Sequence, residues 1–267
     1  KQLTFHVLFC TISRKGYLFM AIHEAFILAG GEGTRLRPVT FEMPKPLVPV
    51  QGRSILTWQV RWFSRHDIHR VTVIIPQKWE TQFIAWREKL KEENLGEALP
   101  QIRLWVEPEP MGTLGALAHH FAEELNKDPI LVTNGDELKA LDLNVFEKFH
   151  KQQTEDDAGY AATVALLEVP NPSDYGVAEM QQAHIKAFHE KPKNPPSNLI
   201  SSGLYLLNPH ALKQQKWEKT FLMFEKDLFP PLAAAGRLGG CKLEGAWYDC
   251  GTMERWQRAI EEWAEPV

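Results

Sequence analysis

Cysteine is scarce in this 267-residue sequence: Cys10, Cys241 and Cys250 are the only three, with neither C-x-x-C spacing nor an accompanying histidine pattern. That pattern excludes a disulfide framework and a structural zinc site, and it fits reduced thiols in a cytoplasmic protein. The chain also lacks an apolar run approaching the ~18 residues that a membrane-spanning helix needs, so no membrane partner is expected. It has no Lys/Arg-rich run, and its formal net charge is −4. Affinity for nucleic-acid backbone rests on clustered cations, so nucleic acid is excluded as a partner and any bound anion should be small and locally held. No repeat, linker or low-complexity tract is found, and NPPSN at 194–198 reads only as a loop.

What is present is an apolar fraction of 44%, enough to bury a sizeable core. The first nineteen residues begin without Met and carry a short apolar patch cut by Ser13-Arg14-Lys15. They are read as a non-native or disordered extension before Met20, with 20–267 as one domain. From Ala25 onward, short apolar runs alternate with helical patterns: AFILAG, a helix capped by Ser54, VTVII at 71–75, the helical segment around TQFIAWREKLKEENL, IRLWVE at 102–107, a helix over 115–125, and PILVTNGD. This alternation predicts β-α-β units and a mixed, mostly parallel sheet flanked by helices. After about residue 150 the runs AATVALLEV, YGVAEM, IKAFHEK and ISSGLYLLN predict an antiparallel or mixed extension, followed by helices near 221–235 and 252–264.

The first strand runs into LAGGEGTRLRP, beginning at Leu28, where three glycines fall within residues 30–33. No frame supplies the Walker A pattern, and the dinucleotide fingerprint fails because Leu36 stands where its third glycine belongs. Two readings stay open for the loop by itself: a tight turn that merely needs positive φ, or a backbone cradle for phosphate with Arg35 and Arg37 adding charge. Twelve residues past Gly33, Lys45 is pinned between Pro44 and Pro46, which restricts its backbone more than an ordinary loop would. A lysine so held near such a loop reads as a fixed cation.

G-G-x-G-T-R-L-x-P followed by P-K-P-L resembles the signature of the sugar-1-phosphate nucleotidylyltransferases, and the resemblance continues over nearly all of the chain after Met20. EPEPMGTLGA from Glu107 resembles the family's base-binding segment, and Asn134-Gly135-Asp136 its metal-binding turn. Asp174 to Val177, Phe188 to Pro192 and Ser202 to Tyr205 resemble its sugar-phosphate segments, and Trp247 to Thr252 its W-x-D-x-G-T element. The resemblance implies a Rossmann-like, glycosyltransferase-A-like fold and attack of a sugar 1-phosphate oxygen on the α-phosphorus of a nucleoside triphosphate. It assigns Leu28, Ala29, Gly30, Gly31, Gly33, Thr34, Glu107, Gly112 and Thr113 to nucleotide binding, and Arg35, Lys45 and Lys191 to catalysis. Gly176, Glu190, Lys191 and Ser201 fall to the sugar phosphate, and Asp136 and Asp249 to Mg²⁺. The GT-x-G form at Gly112 to Gly115 is similar to that of mannose-1-phosphate guanylyltransferases, which favours GTP with mannose 1-phosphate or a related sugar.

Two departures stand out. Ser201-Ser202-Gly203 replaces the family's usual Asn-x-Gly, which puts one sugar contact in doubt. No acyltransferase or regulatory segment follows within the sequence to Val267, so a second activity is not expected. The rivals are a thymidylyl- or uridylyltransferase, a silent nucleotide- or sugar-phosphate-binding regulator, and a cytidylyl or molybdopterin-type transferase, the last without the later motifs. A homo-oligomer is allowed. His66, His69, His119 and His120 lack ordered acidic partners and read as surface or helix-end residues, and the tryptophans as core and helix-face packing.

Overall fold

Short runs rich in Val, Ile, Leu and Phe, bounded by glycine, proline or asparagine, favour extended chain because branched and aromatic side chains pack well on a pleated surface. The computed structural model describes residues 22–93, 98–121, 129–157, 159–209, 213, 215 and 217–264. The expected extension at 1–19, Cys10 and the end of the helix expected over 115–125 lie outside these residues. The strands are β1 (Glu24–Leu28), the short β2 (Pro49–Val50) and β3 (Arg53–Ser54), β4 (Arg70–Pro76), β5 (Gln101–Glu107), β6 (Ile130–Asn134) and β7 (Glu137–Leu141). There follow β8 (Ala162–Glu168), β9 (Gly176–Gln181), β10 (His184–Glu190), β11 (Leu199–Leu207), β12 (Leu238–Lys242) and β13 (Gly245–Asp249). The main helices are α1 (Ile55–Ser64), α2 (Glu80–Glu93), α3 (Leu143–Asp156), α4 (Phe229–Ala234) and α5 (Met253–Glu262).

Nine strands form one sheet in the order β5-β4-β1-β6-β11-β8-β12-β10-β9. The mixed α/β sheet flanked by helices is thus borne out. Its parallel character is concentrated in β5, β4, β1 and β6 and returns only between β8 and β12, with β11 antiparallel to both of its neighbours β6 and β8. Because side chains alternate across a strand, β1 sends Ala25 and Ile27 to one face and Phe26 to the other. The first face is covered by α1, α2 and α3 through Leu56, Phe63, Phe83 and Phe146, and the second by Met111, Leu114, Phe224 and Phe229. Ser54 caps α1 as expected, its side chain accepting from the Thr57 amide.

The elements β2, β3, β7, β12, β13 and α3 are not anticipated by the sequence pattern. Two of them matter most: β7 and β13 form a separate antiparallel ribbon. Its underside packs on a small third core of Leu36, Val48, Trp58, Leu138, Ala259 and Trp263. This core ties the loop after β1, the Lys45 turn, the ribbon and α5 into one unit.

Candidate active site

The site lies at the carboxyl ends of β1 and β6, where open α/β sheets bind ligands. At Leu28 the side chain is half-buried and the carbonyl accepts from the Gly135 amide at 2.9 Å, while Ala29 is buried and its amide donates to Ile74. These two residues fasten the loop to the sheet. Gly30, Gly31, Thr34 and Arg35 then run exposed, and Leu36 plunges into the third core. Gly33 turns the chain with φ +62°, where a Cβ would meet Thr40 Cγ2 at 2.8 Å, and Thr40 Oγ1 donates to the Gly33 carbonyl at 2.7 Å. The result is an anchored turn with bare backbone and Arg35 presented outward.

The ribbon explains how two carboxylates distant in sequence converge. In its register Asp249 lies opposite Glu137, next to Asp136, and the Cys250 amide donates to the Asp136 carbonyl at 3.3 Å. Lys45, only 7% exposed, donates to Asp136 Oδ2. Burial works against the Lys45 charge, but Asp136, Asp249 and Glu137 outweigh it and hold its pKa above the usual lysine value. The Asp136 carboxyl is raised by burial and more than lowered again by Lys45 and Lys139, so it stays below the ordinary carboxylate range.

Around this corner each acid is held by named donors. Arg255, from α5, donates through Nη1 to Asp249 Oδ2 at 2.7 Å and through Nη2 to Asp174, with its guanidinium 5.1 Å from the Tyr175 ring centre. Glu137 accepts from Asn134 Nδ2 at 3.0 Å and Trp247 Nε1 at 2.7 Å, and pairs with the fully buried Lys139 Nζ at 2.9 Å. Burial, then the charges of Asp136 and Asp249, push the Glu137 carboxyl up against the pull of Lys139.

A cavity of about 180 Å³ opens from this corner. It gathers Arg35, Asp136, Asp249, Gly176, Glu190, Lys191 and Ser201 from the residues singled out in the sequence. Lys191 adopts φ +47°, an uncommon conformation for a residue with a side chain, fixed by its amide donating to the Tyr175 carbonyl at 3.1 Å; its Nζ pairs with Glu190 at 3.1 Å. Ser201 Oγ meets the Tyr205 hydroxyl at 3.4 Å, so the serine that replaces the usual asparagine still presents a polar atom.

Lys45 sits beneath this lining, bonded to Asp136. Leu28, Ala29, Gly30, Gly31, Gly33, Thr34, Glu107, Gly112 and Thr113 are off the lining. Glu107 nevertheless abuts the loop: a Cβ at Gly30 would meet its Oε2 at 3.1 Å, while its Oε1 is buried without a partner among the described residues. Burial raises the Glu107 pKa to about 7. The Thr113 hydroxyl is turned to Glu225 and to the Phe224 amide. Glu137, Lys139, Glu225 and Arg255 are site residues that sequence reasoning missed. The run MFEKDLFP, acidic residues opening an apolar helical stretch, was the signal available for Glu225.

A family model described as "Nucleotidyl transferase" matches residues 24–265. The chain belongs to the nucleotidyl transferase family. Mannose-1-phosphate guanylyltransferase catalytic subunit beta of Xenopus tropicalis is 36% identical over 233 residues, covering 85% of this chain and 61% of that protein. Mannose-1-phosphate guanyltransferase of Aspergillus fumigatus is 33% identical over 234 residues, covering 85% and 60%. The chain therefore spans about three-fifths of the length of these curated relatives. Among solved structures, a Bacillus anthracis protein assigned by inference as a glucose-1-phosphate thymidylyltransferase superposes with a TM-score of 0.75 at 25% identity, covering 89% of this chain and 94% of that one. The resemblance to sugar-1-phosphate nucleotidylyltransferases drawn from the motifs is borne out. Of those motifs in this nucleotidyl transferase, Arg35, Asp136, Gly176, Glu190, Lys191 and Asp249 line the cavity, whereas Pro44 to Leu47 and Glu107 to Ala116 lie off it. Among the described residues, no helix is long and apolar enough to cross a membrane.

Proposed function

We propose that the chain condenses a nucleoside triphosphate with a sugar 1-phosphate, giving a nucleoside-diphosphate sugar and pyrophosphate, with GTP and mannose 1-phosphate as the pair. The observation that carries this reading is one cavity lined together by Arg35, Asp136, Glu190, Lys191 and Asp249. A phosphate oxygen of the sugar 1-phosphate forms the new bond to the α-phosphorus, and the α–β bridging bond breaks with its electron pair leaving on pyrophosphate. The nucleophile is already ionised at neutral pH, so no general base is needed. The difficulty is bringing two polyanions together, which positioning and charge neutralisation overcome.

On this reading the bare glycine backbone and Arg35 hold the triphosphate, Lys191 takes the sugar phosphate, and Glu190 accepts from sugar hydroxyls. Lys45, held against Asp136, keeps positive charge under the phosphates. Asp136 and Asp249 fit Mg²⁺. They are two hard oxygen donors on an open polar cavity, where water and phosphate would complete the shell as Mg²⁺ prefers. Held by these two carboxylates, the ion would supply neutralisation of phosphate charge.

Glu107 supports the choice of base. It is a carboxylate beside the glycine loop, and a carboxylate can accept both guanine N1–H and the 2-amino group, whereas thymine and uracil offer one such donor. Cys241 and Cys250, buried and unpaired, fit a cytoplasmic setting. The test is pyrophosphate release over five nucleoside triphosphates against glucose-, mannose-, N-acetylglucosamine- and heptose-1-phosphates, with and without Mg²⁺. Release confined to GTP with mannose 1-phosphate is expected. Release with dTTP or UTP would move the base assignment, and nucleotide binding without release from any pair would make the chain a silent regulator.

A further inference from the structure

Beside Glu190 the cavity holds a carboxylate that the proposed reaction has not used. Glu225 lies in the first turn of the helical segment Phe224–Leu228 and faces the same space as Glu190, Lys191 and Tyr205. Glu190 is neutralised by Lys191, whereas among the described residues Glu225 has no ion-pair partner and is held by one hydroxyl, Thr113 Oγ1 donating to Oε2 at 3.1 Å. Burial raises its pKa, and the Glu190 charge raises it further. A largely buried carboxylate beside another repels phosphate and seeks neutral donors. Ring hydroxyls of a sugar are such donors.

Thr113 holds Glu225 from the segment expected to meet the base. The Phe224 amide donates to Thr113 Oγ1 at 3.0 Å, so the hydroxyl accepts from one backbone group while donating to Glu225. On either side the strap is closed by main-chain bonds, Leu222 N to Met111 O at 3.0 Å and Leu114 N to Leu222 O at 2.9 Å. Gly112, at φ +77°, permits this approach, since a Cβ there would come within 2.2 Å of the Leu222 carbonyl oxygen. The glycine and threonine of GTLG therefore hold the Glu225 helix in place.

We infer that Glu225 is a sugar-selecting residue that accepts a hydrogen bond from a ring hydroxyl not taken by Glu190, and that Thr113 is its positioning residue. This rests on the sugar-phosphate reading of the cavity proposed above. Removing a charged acceptor for a substrate hydroxyl should discriminate between epimers, because a site built around one hydroxyl leaves its partner unpaired when that hydroxyl points elsewhere.

The test compares wild type, Glu225→Gln, Thr113→Val and Thr113→Ser, with thermal melts to check folding. Glu225→Gln should raise KM for mannose 1-phosphate about tenfold or more and shrink the preference over glucose 1-phosphate, leaving KM for GTP within about threefold. Thr113→Val should raise KM for mannose 1-phosphate and shrink the epimer preference in the same direction but more weakly, and Thr113→Ser should recover most of the lost affinity. An unchanged KM for sugar phosphate and an unchanged epimer ratio in folded Glu225→Gln, or in Thr113→Val should the first variant not fold, would overturn the inference. An equal rise in KM for GTP would also overturn it. Calorimetric titration with mannose 1-phosphate separates this from the proposed reaction: if wild type releases no pyrophosphate, about tenfold weaker binding by Glu225→Gln still supports the inference, and equal or absent binding overturns it.

Discussion

The two sides of the cavity solve the same electrostatic problem in opposite ways. At the Asp136 corner every acid already has a cation or donor: Lys45 on Asp136, Arg255 on Asp249, and Lys139, Trp247 and Asn134 on Glu137. Elsewhere stand Arg35 and the lightly held Glu225 on the lining and, off it, the exposed Gly30, Gly31 and Thr34 and a Glu107 oxygen without a partner among the described residues. One side is organised before any ligand arrives; the other leaves its hydrogen bonds to be completed by a ligand. Substitutions in the first should damage folding or turnover, and those in the second should change affinity and selectivity.

The sharpest way to break this contrast is Lys139→Met, which removes the fully buried cation from the Glu137 carboxylate. Loss of one partner from a buried pair costs about 3–5 kcal/mol. Chemical denaturation should show a loss of that size, and near-normal stability would mean that Asn134 and Trp247 suffice. Next, Asp136→Asn should keep the fold but lower turnover by roughly two to three orders of magnitude, as loss of a charge partner in the transition state does elsewhere. Near-normal pyrophosphate release would remove Asp136 from the chemistry.

On the open side, Glu107→Gln should weaken GTP by about tenfold while leaving other nucleotides close to their starting affinity, read by competition binding. The pH response is also fixed in sign. A carboxyl with its pKa raised to about 7 by burial keeps its proton in the folded chain after the unfolded chain has lost it near 4.5. Its contribution to stability is complete below the lower value and vanishes as pH rises through about 7. Guanine needs the ionised form, so GTP affinity should climb about tenfold between pH 6 and pH 8 relative to Glu107→Gln, in step with the ionised fraction. The smallest effect belongs to Arg37→Ala: Arg37 is exposed and sits 5.0 Å from the Phe41 ring, and KM for GTP should move by less than about threefold.

Much of this arrangement is legible in the residue order. The strands β1, β4, β5, β6 and β8 to β11 announce themselves by apolar runs that end in turn residues, and the glycine loop and Lys45 are marked by their own backbone constraints. Glu137, Lys139 and Arg255 are not legible, because their importance comes from register. Glu137 and Lys139 look like ordinary polar positions until β13 lies across them, and LGGCKLEGAWYD carries too few branched residues to declare β12 and β13 separately. Asp249 was found only through its motif; nothing in its local sequence states that it will face Asp136. Glu225 was missed for a related reason: a helix's first turn is often acidic to suit the helix dipole, which hides an acid aimed at a ligand.

The β7–β13 ribbon also dictates when the chain becomes competent during synthesis. Trp247 and Glu137, bonded to each other, are 110 positions apart, so a nascent chain presents its glycine loop and Lys45 long before the strand that brings in Asp249 leaves the ribosome. Until then Glu137 and Lys139 have no strand over them, and Asp249 is not yet beside Asp136. Under the proposed reaction, the carboxylate pair is therefore complete only once this one short strand has docked.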